Sequence, residues 1–255
     1  MLAGNTETPS LAIKARDFQH AKQAAVCDLE RAWSHGTVVR ASSYPSYYEY
    51  NLLRLERGPV PPLDELKAAA EEALGDAQHR RIDFELAEEA EPLRSGLHAS
   101  GWKTTRLVWM HHDGSERPEP ELDVEAADYD EAATLREEWH EEDFPGVDPA
   151  AYHASARQVS LLRGVRTLIV REGREAVGFV QLEGGGSGAE ISSVYVSRRH
   201  RGAGRGTAIT RAAIAAADGI EDLWIVADDE DRPKELYARL GFVGVWKATE
   251  ATLWP

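Results

Sequence analysis

The run Val194-Tyr-Val-Ser-Arg-Arg-His-Arg-Gly-Ala-Gly-Arg-Gly206 leads from a strand pattern, through a glycine-rich turn, into an alanine-rich helix. The first turn of a helix carries backbone N–H groups without intrahelical acceptors, and the helix dipole adds positive potential there. Gly202, Gly204 and Gly206 let this backbone approach an anion closely, and Arg198, Arg199, Arg201 and Arg205 add charge. The chemistry such a turn supports is the binding of a phosphate or pyrophosphate. It is not a P-loop, because Gly206 is followed by Thr207 with no intervening Lys. It is not the dinucleotide fingerprint either, because the third glycine comes two residues after the second.

A second run lies downstream, Leu236-Tyr-Ala-Arg-Leu-Gly-Phe242, one helix and one strand beyond the first. Together, Arg201-Gly-Ala-Gly-Arg-Gly206 and this later run resemble the two signatures of the GNAT N-acetyltransferase superfamily, a pyrophosphate motif Gln/Arg-x-x-Gly-x-Gly/Ala and a late Leu-Tyr-x-x-x-Gly-Phe. The resemblance covers residues 120–255. It implies acetyl-coenzyme A as cosubstrate, held in a V-shaped gap between two splayed strands. By position, the backbone of Val194, Tyr195 and Val196 would pair with the pantetheine arm. The backbone of Arg201, Gly202, Ala203, Gly204, Arg205, Gly206 and Thr207 would hold the diphosphate. Tyr237 would protonate the departing thiolate. Glu190, on the strand leading to the turn, matches a register in which some relatives carry the base that deprotonates the amine; a strand-edge carboxylate in water is the other reading. Tyr237 also has the position of a packed core residue. The family's Asn seven residues before the late Tyr is Glu230 here, which puts that cofactor contact in doubt; Asp231 is expected to cap the helix and Pro233 to sit in its first turn.

The elements that must position these groups follow from periodicity. A helical pattern covers 11–33. Strands are expected at 37–40, 51–56, 81–86 and 105–110, and helices at 64–74 and 91–100. After a turn-rich linker at 113–121, the sequence predicts strands at 122–125, 167–170, 176–183, 189–196, 222–226, 242–246 and 251–254. Helices are expected at 130–142, 149–162, 204–218 and 232–240. Gly184–Gly188 reads as a hairpin tip. The order strand, helix, strand, helix, strand occurs over 51–110 and again over 189–254, and Leu97-His-Ala-Ser-Gly-Trp102 echoes Leu236–Phe242. The fold class expected is α/β (α+β): tandem GNAT-like folds, each a mixed twisted sheet flanked by helices, with splayed central strands in the C-terminal copy. The boundaries are 1–115 for a degenerate domain and 116–255 for a catalytic one. The N-terminal counterpart of the glycine turn is Arg57-Gly-Pro-Val-Pro-Pro62, and Pro59, Pro61 and Pro62 have no N–H to offer an anion. The cluster Tyr44-Pro-Ser-Tyr-Tyr-Glu-Tyr50 either packs between the halves or lines the acceptor cleft.

Composition narrows the function. The chain has 255 residues, 42% of them hydrophobic, which is enough to bury a core. The net charge is −15, and 15 acidic residues fall in 111–150 against Arg117 and Arg136. Such a chain repels phosphate backbones and has no basic stripe, so no nucleic-acid partner is expected. The acidic run 130–143 is either a solvated face or a lure for a cationic acceptor. The single Cys27 makes no disulfide or Cys-rich zinc site, and His140-Glu-Glu lacks the second His of a zinc motif, so no metal is expected. His140 and His153 are not expected to be catalytic, and His111-His112 are assigned to the linker. No apolar run approaches ~18 residues, and the polar N-terminus shows no secretory h-region, so no membrane partner and a cytoplasmic setting are expected. The reading is an acetyl-CoA-dependent N-acetyltransferase using direct attack by a primary amine of a small molecule or peptide. The rival is a non-catalytic acyl-CoA-binding module. The acceptor and the choice between monomer and homodimer stay open.

Overall fold

Leu66, Ala70, Ala73 and Leu74 recur at helical spacing and are buried, while Asp64 and Glu65 sit in the first turn, where the helix dipole favours negative charge. This pattern makes one of the helices that flank the sheet. The computed structural model describes residues 10–113, 123–146, 148–185 and 188–254. In the first half the elements are α1 (Leu11–Ala24), β1 (Leu29–Trp33), β2 (Gly36–Arg40), β3 (Leu52–Leu55), α2 (Leu63–Leu74), β4 (Arg80–Phe84), α3 (Ala87–Ala90), α4 (Arg94–Ala99) and β5 (Lys103–His112). The second half adds β6 (Val124–Ala127), α5 (Ala133–Asp143), α6 (Ala150–Leu162), β7 (Arg166–Glu172), β8 (Glu175–Gly185) and β9 (Gly188–Val196). It closes with α7 (Arg205–Ala216), β10 (Asp222–Asp228), α8 (Pro233–Arg239) and β11 (Val243–Leu253).

The strands form one mixed sheet in the order β1-β2-β3-β4-β11-β5-β10-β9-β8-β7-β6. The element order repeats between the halves, but the last strand of each half lies in the other. β11 runs antiparallel to β4 through Thr249↔Phe84 to Leu253↔Arg80. β5 runs antiparallel to β10 through Leu223↔His112 to Asp228↔Leu107. β5 and β11 pair with each other at the centre. Each half therefore supplies a strand that the other half's sheet depends on. Two apolar cores follow. One packs Ile209 and Ala213 of α7 and Tyr237 of α8 on Val180, Ile191 and Ile225. The other packs Leu66, Leu74 and Leu97 on Leu53, Ile82 and Phe84.

Three local expectations are corrected. The helical reading of 11–33 fails after Ala25, because Leu29–Trp33 pairs with β2 as an edge strand whose Leu29–Ala32 are exposed. His111 and His112 belong to β5, where His111 Nε2 lies 3.0 Å from Asp222 Oδ1 and His112 packs on Phe242. The two expected C-terminal strands are one, β11, which absorbs an irregularity between Gly244 and Trp246. Of the linker reading at 113–121, all but Asp113 lies outside the described residues, as do two residues of the hairpin tip.

One buried histidine couples this packing to pH. His79 is 3% exposed, and its Nε2 lies 2.9 Å from the Asn51 carbonyl oxygen. Burial holds the imidazole down to about 4, the Asn51 contact opposing and Arg81 adding to the shift. The folded value lies below the usual 6.5, so the unfolded chain takes up the proton first. Stability then falls as pH drops from 6.5 through about 4, by on the order of 3 kcal/mol at the acid end. Urea unfolding at neutral and acid pH should show this loss, and His79→Gln should remove it. Equal acid losses in both proteins would assign the effect to other groups.

Candidate active site

β9 and β10 run parallel, but they pair only from Asp222↔Gly188 to Ile225↔Ile191. Beyond that point β10 continues to Asp228 along β5, and β9 continues to Val196 along β8. The edges of the two strands that face each other are thus left without ladder partners over 192–196 and 226–228. A bulge accompanies the split. Ser193 has φ 52, and the β8–β9 register shifts between Phe179↔Tyr195 and Gln181↔Ser192. This is the V-shaped gap expected of the C-terminal copy. The N-terminal copy has none: β3 and β4 stay paired to their ends, and the Glu85 N–H donates to the Leu55 carbonyl at 3.0 Å just past them. There α2 starts at Leu63, after the proline-rich run.

At the open end of β9 the chain turns through Arg198–His200 and reaches α7. Gly202 and Gly204 adopt φ +84 and +77, conformations that L side chains resist, and a Cβ on either would meet open space. Gly204 is the N-cap of α7, and no side chain caps it. The first intrahelical bond runs from the Ala208 N–H to the Gly204 carbonyl, so the N–H groups of Arg205, Gly206 and Thr207 precede the helix's own ladder. The arginines contribute less than their number suggests. Arg201 Nη2 is 2.7 Å from Glu142, Arg199 Nη2 is 2.7 Å from Glu175, and Arg205 pairs with Glu172. The backbone is what this turn offers an anion. Diphosphate fits it: an uncapped helix N-terminus, open space over two left-handed glycines, and a slot between strands that a long arm can enter.

The gap opens on a cavity of about 520 Å³ lined by both halves of the chain. Val194, Tyr195, Tyr237 and Glu190 all line it, whereas Val196 and residues 201–207 lie outside its lining. Tyr237 sits on α8, 6% exposed, with its ring edge-on to Phe242 at 6.3 Å. Burial pushes its phenol up to about 12, so it stays protonated at neutral pH. Tyr195 is also buried, and its hydroxyl donates to Glu142 at 2.8 Å. The helix start differs from expectation, since Arg232 rather than Asp231 is the N-cap, with Pro233 as the first helical residue. Glu230, at the family's Asn position, accepts two bonds from Arg94 of α4 at 2.8 and 2.9 Å, and so ties the two halves together.

Glu190 is not a carboxylate in water. It is 6% exposed, at the apex where β9 and β10 still pair, and Lys22 Nζ of α1 lies 2.9 Å from it. Lys22 also reaches Glu183 at 3.0 Å, and Glu183 pairs with Arg163 at 2.6 Å. Burial raises the Glu190 carboxyl above its usual range, Glu183 adds to this, and Lys22 opposes it. Burial would lower Lys22, but the two carboxylates hold it well above the ordinary amine value. Lys22→Met would leave Glu190 without a cation in the interior, while Glu183 keeps Arg163. We expect a loss of about 3–5 kcal/mol in urea unfolding; a change under about 0.5 kcal/mol would show that water, not Lys22, screens the pair.

Sequence reasoning did not single out Lys22 as a site residue, because nothing in a helical pattern says which sheet residue a Lys will meet. It missed Arg136 and Glu49 of this cavity too. A lone Arg in the acidic run was the available signal. Of the tyrosine cluster, Tyr47, Tyr48 and Tyr50 line the cavity, and Tyr48 stacks on Tyr152 of α6 at 5.0 Å, which is packing between the halves. Part of the acidic run 130–143 pairs with arginines elsewhere in the chain. Asp130 pairs with Arg157, Glu131 with Arg171 and Glu142 with Arg201, while Asp143 lines the cavity. Among the described residues, no group of three or more His, Cys, Asp or Glu is placed to hold a metal, and no helix is long and apolar enough to cross a membrane.

The splayed strands, the bulge and the amide-lined turn combine an open slot with backbone N–H groups at one end. Residues 132–242 match the acetyltransferase (GNAT) family. The match supports acetyl-CoA-dependent acetyl transfer as the general reaction. No curated protein matches the chain. Among solved structures, a conserved protein of unknown function from Staphylococcus epidermidis is similar at TM-score 0.66 and 16% identity, over 88% of this chain and 92% of that one. A GCN5-related N-acetyltransferase from Kribbella flavida is similar at TM-score 0.58 and 17% identity, over 96% of each chain. A tandem GNAT protein from the clavulanic acid biosynthesis pathway is similar at TM-score 0.51 and 15% identity, over 79% of this chain and 74% of that one. At such identities the likeness speaks for the fold: tandem GNAT-like units sharing a mixed sheet flanked by helices.

Proposed function

We propose that the chain is an N-acetyltransferase that moves an acetyl group from acetyl-CoA to a primary amine of a small molecule or peptide. One observation carries this reading: the only described parallel strand pair that splays, β9 and β10, meets a left-handed glycine turn at its open end, and the gap between the strands opens on a cavity lined by Tyr237 and Glu190. In this reading residues 1–115 form a domain without a cofactor loop and residues 116–255 the catalytic domain, each lending its last strand to the other. The backbone of Val194–Val196 pairs with the pantetheine arm, and the amides from Arg201 to Thr207 hold the diphosphate. The cosubstrate, when bound, supplies an acetyl thioester.

Glu190, its basicity raised by burial, takes a proton from the ammonium group, directly or through water. The amine lone pair then forms a C–N bond at the acetyl carbonyl carbon as the C–S bond breaks. The strand N–H of Val194 or Tyr195 stabilises the charge that develops on the carbonyl oxygen. As the C–N bond forms, the nitrogen gives its second proton to water; Tyr237 gives its proton to the sulfur, and Tyr237 and Glu190 return to their starting protonation states by exchange with solvent. The products are an amide and a free thiol, with no covalent bond to the protein.

The Lys22–Glu190 pair favours a second reading, a CoA-binding module without turnover, because a carboxylate held by an ammonium group is a weaker base. Thiol release from acetyl-CoA with a panel of amines separates the two. Steady release with at least one amine supports the transferase; CoA binding with no release by any amine supports the module.

A further inference from the structure

The cavity's cations are not all neutralised. Lys22 pairs with Glu183 and Glu190, and Arg81 pairs with Asp83 and Glu250. Arg136 does not follow this pattern. It reaches the cavity from α5 and is 5% exposed. Its guanidinium lies over two rings, 3.8 Å from the Tyr129 centroid and 4.5 Å from that of Phe179. Nη1 donates to the Gln181 side-chain oxygen at 3.3 Å, but Nε and Nη2 find no acceptor among the described residues. The Tyr129 hydroxyl and His153 Nε2, also buried, have no partner among the described residues either, and both residues line the same cavity.

An arginine cannot escape this position by losing its proton. Ring stacking offsets part of the cost of burying its charge, and the remainder calls for an anion. The guanidinium beside these rings carries its donors in one plane, the geometry that a planar carboxylate accepts with two parallel bonds. Burial holds His153 down to about 4, so at neutral pH it is an uncharged ring that adds a hydrogen bond without adding charge. Glu49, Glu190 and Asp143 line the same cavity as carboxyl groups that an ammonium group can meet.

We propose that the acceptor is a primary amine that also bears a carboxylate, which Arg136, Tyr129 and His153 bind while the amine faces the gap between β9 and β10. The inference rests on the transferase reading for the amine's role, but the carboxylate site stands on its own contacts. The acidic character of the run 130–143 does not define the acceptor, because its one buried arginine is the member that meets it.

The test uses the full chain with CoA or acetyl-CoA and matched acceptors. These are α-amino acids and ω-amino acids with one to five methylenes, each beside its primary amide. Calorimetry with CoA present gives Kd, and thiol release from acetyl-CoA gives kcat/KM. At least one carboxylate should bind more tightly than its amide by about 10-fold or more. Arg136→Gln should reduce that carboxylate to the level of its amide, and Arg136→Lys should keep part of the preference, having charge without the fork. No preference in any pair, or a preference that persists in Arg136→Gln, overturns the proposal. If Arg136→Gln does not fold, the wild-type pairs and Arg136→Lys decide. Carboxylate-selective binding without thiol release upholds the site and defeats the transferase reading. Release that is blind to the carboxylate does the reverse.

Discussion

Tyr237→Phe should lower kcat about 10²–10⁴-fold, the range for losing a positioned general acid. The substitution is chosen because the ring is structural and the hydroxyl is not. The ring packs in the core with Phe242, Leu240 and Ile225, and Phe preserves that contact. CoA affinity and urea stability should therefore change little, and the loss should fall on kcat alone. Burial keeps the wild-type phenol protonated up to about 12, so the wild-type rate should show no fall from its ionisation across the neutral range. Steady-state kinetics with saturating acetyl-CoA makes the measurement. Full turnover by Tyr237→Phe would leave the tyrosine as a packing residue and move the acid role to another group.

Gly204→Val should raise the Kd for CoA at least ~10-fold, and with it lower kcat/KM for acetyl-CoA. The physical cause is the backbone rather than a collision. A Cβ at this position would meet open space, but φ is +77 at the N-cap of α7. An L residue held there costs about 1–2 kcal/mol, and a β-branched one suffers most. The chain relieves this strain by turning the following peptide groups, and the N–H groups of Arg205, Gly206 and Thr207 lose their common aim. Since Arg199, Arg201 and Arg205 are already engaged by Glu175, Glu142 and Glu172, side-chain charge has little capacity to compensate. Gly146, also at positive φ with open space around it but on the loop after α5, is the control. Gly146→Val should leave CoA affinity within about twofold, whatever it does to stability.

Local pattern carried much of this structure. The glycine turn and the late Leu-Tyr motif are contiguous in sequence and depend on backbone conformations that few residues adopt, so they can be read directly. The alternation in Arg81–Phe84 and the helical spacing in Asp64–Leu74 likewise report neighbours a few residues away. What could not be read depends on pairings across the chain. The exchange of β5 and β11 is invisible to periodicity, because a strand's alternation is the same whichever neighbour it pairs with. Lys22 meets Glu190, 168 residues away, only because α1 crosses the apex of the split strands. Arg136 was legible as a residue but not as a site, since only the folded sheet places Phe179 against it. Glu30 and Arg31 gave a helix-like signal to a strand, because an exposed edge has no apolar face to announce it.

The central claim is that one diphosphate site exists and that it lies at the start of α7. Calorimetric titration of CoA into the full chain tests this directly. One equivalent of CoA per chain is expected in the wild type, with a strong loss of that binding in Gly204→Val. Two equivalents, or undiminished affinity in Gly204→Val, would place the cosubstrate elsewhere and contradict it.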